Sequence, residues 1–367
     1  MDDTMTNARN ASKIHLRPIA ALALLALGAR DTRAQVPRAV ATGVEMFATP
    51  YFSSSLSNKL RFSRGTYSAA QDVTAFTSGV GQLRDVDAAQ VDDCSLHFVA
   101  VDASGGMWHS IRSKNSRTEV ASFQRFGNVK QANGNPSVSF TKACVATTGT
   151  GDLHVLGVTS TGQLLHTIRF SNGGWQSYFG NVLAVIGNSA NVGTVTSVAC
   201  DGNYLTGLQV AVTTSRGDAF RTTRSSDGQW DPWESITNRA GNPGRLTDVA
   251  VSNNESKVHF VLVANTGRVF HTIRTPIRNP LSGNIWWFWQ PMGDVTGETG
   301  LTQTAGSVAT SIGSDGLNVT IVTAYLQVLN AVRKPDGSWI GFRPAGGSWT
   351  GTSIGTAEYV DGCFPVL

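Results

Sequence analysis

One hairpin pattern returns along the whole chain, and it limits what this sequence can fold into. Residues 162–175 read Gly-Gln-Leu-Leu-His-Thr-Ile-Arg-Phe-Ser-Asn-Gly-Gly-Trp. A β-rich run ends on Arg169, a turn follows, and the chain returns through Trp175. Residues 105–112 (Gly-Gly-Met-Trp-His-Ser-Ile-Arg) and 267–274 (Gly-Arg-Val-Phe-His-Thr-Ile-Arg) repeat it closely. Residues 217–224 keep the frame, and residues 326–333 and 60–64 are weaker copies. The arginines that end these strands, Arg64, Arg112, Arg169, Arg224, Arg274 and Arg333, are spaced by 48, 57, 55, 50 and 59 residues. That is the length of one four-stranded blade of a β-propeller.

The unit around Arg169 accommodates four strands, at 141–147, 153–159, 164–170 and 175–182. The middle strands are apolar or small on both faces, as expected of a sheet sandwiched between neighbours. Before Arg64 there is room for a second and third strand only. Residues 352–363 read as a spare first strand. The expectation is therefore an all-β, six-bladed propeller of four-stranded antiparallel blades, closed by the C-terminal strand. A seventh blade would need about 50 further residues. Gly/Asn/Pro-rich links at 131–136, 187–191, 240–244 and 299–306 read as turns without helix signals.

The first 34 residues differ from the rest. Lys13, His15 and Arg17 precede an apolar run at 19–27, and a small-residue cleavage site follows at Ala34, so residues 1–34 read as a signal peptide and 35–367 as one propeller domain. An unprocessed or misplaced start is the alternative. The apolar run is too short to span a bilayer, and no later segment is apolar enough, so a secreted protein without membrane insertion is expected. The net charge is +4, falling to +2 without those 34 residues. With no basic run or stacking motif, no nucleic-acid partner is expected. Four cysteines, Cys94, Cys144, Cys200 and Cys363, form no CxxC pair. Cys94 and Cys363 both follow acidic strand ends in blades that ring closure makes neighbours, so a Cys94–Cys363 disulfide is expected. Cys144 and Cys200 occupy matching places in consecutive repeats and are expected as unpaired core thiols. No cofactor and no metal are expected.

The hairpin turns place chemistry at the blade ends. A three-residue turn such as Pro335-Asp336-Gly337 sets Arg333 opposite Trp339. The same register sets Arg224 opposite Trp230 and Arg169 opposite Trp175, and Arg274 aligns with Trp289. Arg112 with Phe123 is a looser copy, and Trp108 precedes it in the same strand. A guanidinium beside an indole can hydrogen-bond sugar hydroxyls and pack against the C–H face of a pyranose. It can equally brace the blade with no ligand. His109, His166 and His271 recur at one third-strand position, and His97, His154 and His259 at one second-strand position, where Asn318 stands in the last unit. Hydrogen bonding between blades is the expected role of the third-strand histidines, with direct sugar contact the alternative, and the second-strand position reads as structural. The insertion at 275–284 and the run Ile-Trp-Trp-Phe-Trp at 285–289 add aromatics, either as plugs or as an exposed ligand platform.

Two units, 153–182 and 258–295, resemble repeats of the bacterial PLL-type β-propeller lectins. The shared pattern is Leu-His-Val-x-x-Val-Thr, then Gly-x-Leu-x-His-Thr-Ile-Arg, then Trp, then Phe-Gly-Asn/Asp-Val. The link Ala-Gly-Asn-Pro-Gly at 240–244 and Thr-Asp-Val-Ala at 247–250 fit as well. The resemblance covers nearly everything after about residue 50. It implies a secreted, multivalent lectin for fucose or related glycans, with no catalysis. Those lectins usually have seven shorter blades, and their third-strand tryptophan survives here only as Trp108. Two other classes compete. Sialidases are six-bladed, but residues 225–230 are two residues short of their turn motif, and no pair of acidic residues recurs. A propeller scaffold for protein partners is the third.

Overall fold

The computed structural model describes residues 43–49, 56–62, 71–72, 80–91, 95–114, 121–149, 151–187, 190–203, 205–254, 257–278, 280–282, 284–346 and 349–359. Residues 1–34, Arg64, Cys94 and Cys363 fall outside them, and with them the signal-peptide reading and the Cys94–Cys363 pairing.

The fold is an all-β propeller of antiparallel blades. Blade I holds Leu83–Val91, Ser95–Asp102, Met107–Lys114 and Ala121–Phe123, and blade II holds Phe140–Thr147, Leu153–Thr159, Leu164–Arg169 and Gly180–Asn181. Blade III holds Val195–Asn203, Gly207–Thr214, Ala219–Arg224 and Glu234–Ser235. Blade IV holds Leu246–Asn254, Lys257–Ala264, Val269–Arg278 and Ile285–Trp289, and blade V holds Ala305–Gly313, Gly316–Thr323, Val328–Arg333 and Trp339–Pro344.

The expectation of six blades, one of them shared between the two chain ends, and the alternative of seven, are corrected here to five. Five blades are each drawn from one unbroken run of chain. What remains is a composite sheet, in which Ser353–Tyr359 pairs with Gly43–Thr49, followed by Ser57–Phe62 and the two-residue strand Gln71–Asp72. The physical reason is the shortage of chain before Arg64, which supplies no first strand for that sheet. The innermost strands pack one on the next around the axis, and Ser353–Tyr359 fills the gap between blades V and I.

Fourth strands are also less regular than expected. In blades II and III, one bridge joins Arg169 to Trp175 or Arg224 to Trp230, and a two-residue strand follows. Single-turn helices then begin at Val129, Val182, Ile236 and Val295, each capped by the side chain of Asn128, Asn181, Ser235 or Asp294. Those caps satisfy amide donors that a one-turn helix leaves open. The sequence reading took the links that follow as turns and missed these helices.

Apolar side chains fill the space between blades. Leu156, Val158 and Leu164 of blade II meet Val195, Leu208 and Val210 of blade III in one buried cluster. Nearer the axis, aspartates pin one blade to the next. Asp85, Asp87, Asp201 and Asp248 accept hydrogen bonds from the backbone amides of Ala143, Val145, Asn253 and Val308 at 2.7–3.0 Å. Asp85 also takes Lys142 at 3.1 Å and Ser353 at 2.7 Å, so it ties blade I to blade II and to the composite sheet. Burial pushes the Asp87 and Asp248 carboxyls up despite these bonds.

Cys144 and Cys200 form a disulfide between the innermost strands of blades II and III, with a Cα separation of 5.7 Å. This corrects the expectation of unpaired thiols. Equivalent positions in adjacent blades are far apart at the rim, but innermost strands converge toward the axis and come within disulfide reach.

Tight packing makes one glycine diagnostic. A Cβ on Gly157 would lie 2.5 Å from both Met107 Cε and Phe140 Cδ1. Met107 can shift, but Phe140 is fully buried. Gly157→Ala is expected to cost about 1–3 kcal/mol through overpacking, read as a lower urea midpoint with an unchanged slope.

Candidate functional site

The hairpin register is observed where it was expected. Arg169 faces Trp175, Arg224 faces Trp230, Arg274 faces Trp289 and Arg333 faces Trp339, while Arg112 faces Phe123. Gly173, Gly228 and Gly337 take φ of 90°, 90° and 93° in the three-residue turns. These values suit glycine alone at low cost. A Cβ on Gly228 would sit 2.9 Å from Arg224 Nη2, so the guanidinium folds back over its own turn.

What surrounds these pairs is more telling. His109 meets Trp175 of the next blade edge to face at 5.5 Å and 83°. His166 meets Trp230 at 5.5 Å and 89°, and His271 meets Trp339 at 5.7 Å and 85°. Behind each of these histidines stands a second one from the same blade. His97–His109, His154–His166 and His259–His271 hydrogen-bond at 2.9, 3.0 and 3.1 Å. The second-strand and third-strand histidines therefore form dyads within a blade, and the dyad contacts the indole of the following blade. Burial, then the partner histidine, then Arg169, Arg224 or Arg333 hold His109, His166 and His271 well below the usual imidazole range.

Arg169, Trp175, Arg224, Trp230, Arg333 and Trp339 are half-buried, leaving shallow corners open to solvent. Arg112, Arg274 and Trp289 are buried. Arg274 lies 3.8 Å from the centre of the Trp287 ring, and burial lowers it to about 9, so it stays charged at neutral pH. Trp108 is half-buried and donates Nε1–H to Asp102 at 2.7 Å, which pins it to its own turn.

Blade III breaks the pattern, and there the chain forms a cavity of about 800 Å³. Gln209 and Arg221 stand where the dyad histidines would be. Arg221 is buried and donates Nη1–H to Glu234 at 3.1 Å and Nη2–H to Thr223. Glu234 also forms ion pairs with Arg239 at 2.9 Å and Arg274 at 3.5 Å and accepts the Trp289 indole N–H at 3.3 Å. Burial alone would raise Glu234, but the guanidinium groups of Arg221 and Arg274 outweigh it and hold the carboxyl below its usual range. Arg216, Asp218, Asp231 and Trp233 complete the polar and aromatic lining. Arg221 Nε and Trp233 Nε1 are buried donors without a hydrogen-bond partner. Unpaired buried donors are costly to the fold.

The sequence reading missed Arg221, Trp233 and Glu234. A signal was present: one repeat loses both histidines at once and gains an arginine in their place.

No family model matches the chain, and no curated protein matches it. Similar folds do occur among solved structures. AofleA from Arthrobotrys oligospora is 11% identical, with a TM-score of 0.55 over 88% of this chain and 91% of its own. A variant of AofleA with three arginines replaced by alanine is 10% identical, with the same TM-score and coverage. SapL1 lectin in complex with alpha methyl fucoside is 12% identical, with a TM-score of 0.47 over 82% of this chain and 95% of its own. At these identities the AofleA likeness establishes a shared fold.

Proposed function

We propose that this protein is a secreted carbohydrate-binding protein whose principal site is the blade III cavity. The observation that carries the reading is the Arg221–Glu234 pair lining that cavity beside Trp233. A polyhydroxylated ligand uses such groups fully. The fixed guanidinium fork donates, the carboxylate accepts, and an aromatic wall takes the C–H face. The half-buried corners at Arg169–Trp175, Arg224–Trp230 and Arg333–Trp339 add shallower subsites around the ring. Several such sites on a rigid ring raise apparent affinity on a crowded glycan surface by roughly 10² or more. Fucose and related sugars are the ligands that the PLL-type resemblance implies.

Binding is favoured over glycoside hydrolysis by the state of Glu234. A general acid needs a raised pKa near the working pH, whereas Glu234 is held low and committed to cations.

A glycan array on the protein without residues 1–34 should give hits, and calorimetry on the best hit should give a measurable affinity. Arg221→Lys keeps the charge and loses the fork, so affinity should drop at least about tenfold. The exposed rim variant Arg216→Ala should weaken binding without lowering the melting temperature. A blank array, or an Arg221→Lys protein binding as tightly as the original, would overturn the reading. Turnover of a fluorogenic sialoside would replace it with the enzyme.

A further inference from the structure

Blade IV departs from its neighbours at the end where the arginine–tryptophan corners lie. In blades II, III and V the third strand turns within three residues, as at 226–228. Here the pairing runs past Arg274–Trp289 for four more pairs, Thr275–Phe288, Pro276–Trp287, Ile277–Trp286 and Arg278–Ile285. Directly opposed residues share one face of an antiparallel ribbon, and successive pairs alternate. Pro276 and Trp287 lie on the face of Arg274, where Trp287 covers the guanidinium and anchors the ribbon. The other face carries Ile277, Trp286 and Phe288, which are 50%, 62% and 52% exposed. Leu281 near the tip is 97% exposed, and Ile285 is also exposed. Trp286 and Phe288 are thus not plugs under a loop.

We propose that this ribbon docks on a phospholipid surface with anionic headgroups. Three observations select that occupant. The apolar side chains sit on a narrow projecting ribbon and offer on the order of 500 Å², short of the ~800 Å² per partner of a standard protein interface. A bilayer interface needs no matching partner surface, and it accepts tryptophan beside aliphatic side chains. From Thr275 to Gly293 there is no carboxylate, and the one charge is Arg278. The ribbon lies on the membrane in this arrangement and does not span it. The inference is independent of the carbohydrate site, because lipid vesicles without sugar suffice to test it.

The test is sedimentation of the protein with vesicles of mixed phosphatidylcholine and phosphatidylglycerol. The protein should pellet with the vesicles, and its tryptophan emission should shift to the blue. W286S/F288S should lose at least about tenfold in partitioning, with the melting temperature kept because both side chains are exposed. Arg278→Glu should weaken binding to these vesicles while leaving the fold intact. A protein that stays in the supernatant, or a W286S/F288S variant that pellets equally, would overturn the proposal. So would self-association without lipid that the same variant abolishes, since the ribbon would then meet a second copy.

Discussion

Taking the protein from about pH 7 to about pH 4 is expected to remove several kcal/mol of stability, through the histidine dyads. His154 is lowered to about 4 by burial and then by Arg224. His259 is lowered to about 3 by burial, then by Arg333 and Lys257. Burial also depresses His109, His166 and His271. A histidine lowered in the folded state is neutral there while its unfolded counterpart takes up a proton below about pH 6.5. Its contribution is therefore fully present above pH 6.5 and lost as pH falls toward the folded value. Each pKa unit is worth about 1.4 kcal/mol, so His154 alone accounts for roughly 3 kcal/mol at pH 4. The groups facing the dyads give no relief. Arg169, Arg224 and Arg333 are cationic, and Ser95 and Thr148 are neutral. The raised carboxyls of Asp87 and Asp248 act in the opposite sense, gaining stability as pH falls, so the comparison must be made against a variant. H154N/H166N installs the residue types that blade V has at those places, Asn318 and Asn330. It should have a shallower loss in urea melts at pH 7, 5.5 and 4. Equal pH slopes in the variant and the original protein would mean that the dyads accept protons in place.

Removing the Cys144–Cys200 disulfide should cost about as much. The bond closes a loop with a sequence separation of 56. Loop-closure entropy for that length corresponds to about 4 kcal/mol at 25 °C, with 2–5 kcal/mol typical for native disulfides. The link joins two innermost strands, so its loss acts where blades II and III converge. C144A/C200A measured by chemical denaturation under non-reducing conditions should have a midpoint lower by that energy. A difference below about 1 kcal/mol would show that the unfolded chain is already constrained or that the bond is not made in solution.

Much of this architecture was legible because a propeller blade repeats both its hydrophobic pattern and its turn chemistry. The opposition of Arg333 to Trp339 followed from a Pro-Asp-Gly turn, since turn length sets strand register. The closing strand was legible from the incomplete units at the two ends. Blade count was not, because a count of arginines does not reveal which sheets come from unbroken chain. The disulfide was missed because repeat spacing says nothing about distance from the axis, and the axis decides which equivalent positions meet. The histidine dyads were read as separate positions, since a diagonal contact between second and third strands requires knowledge of their pairing. Arg221 and Glu234 escape a reading built on what recurs. The cavity lies where the repeat fails, and a lone exception has no period to reveal it.

The composite sheet has a consequence in time as well as in space. Gly43 pairs with Tyr359, its partner more than three hundred residues along the chain. During synthesis the N-terminal strands emerge early and wait without that neighbour, while blades I to V stack as an open arc. An open arc presents an uncovered apolar blade face at each end and unpaired amides along the waiting strand, the surfaces by which incomplete sheets stick to other chains. Closing a loop of that length is slow, because its entropy is lost before the closing contacts form. The step that seals the ring is thus the last one available to the chain. A truncation just before Ser353 would remove seven strand residues, yet it would hold the protein permanently at its most adhesive stage.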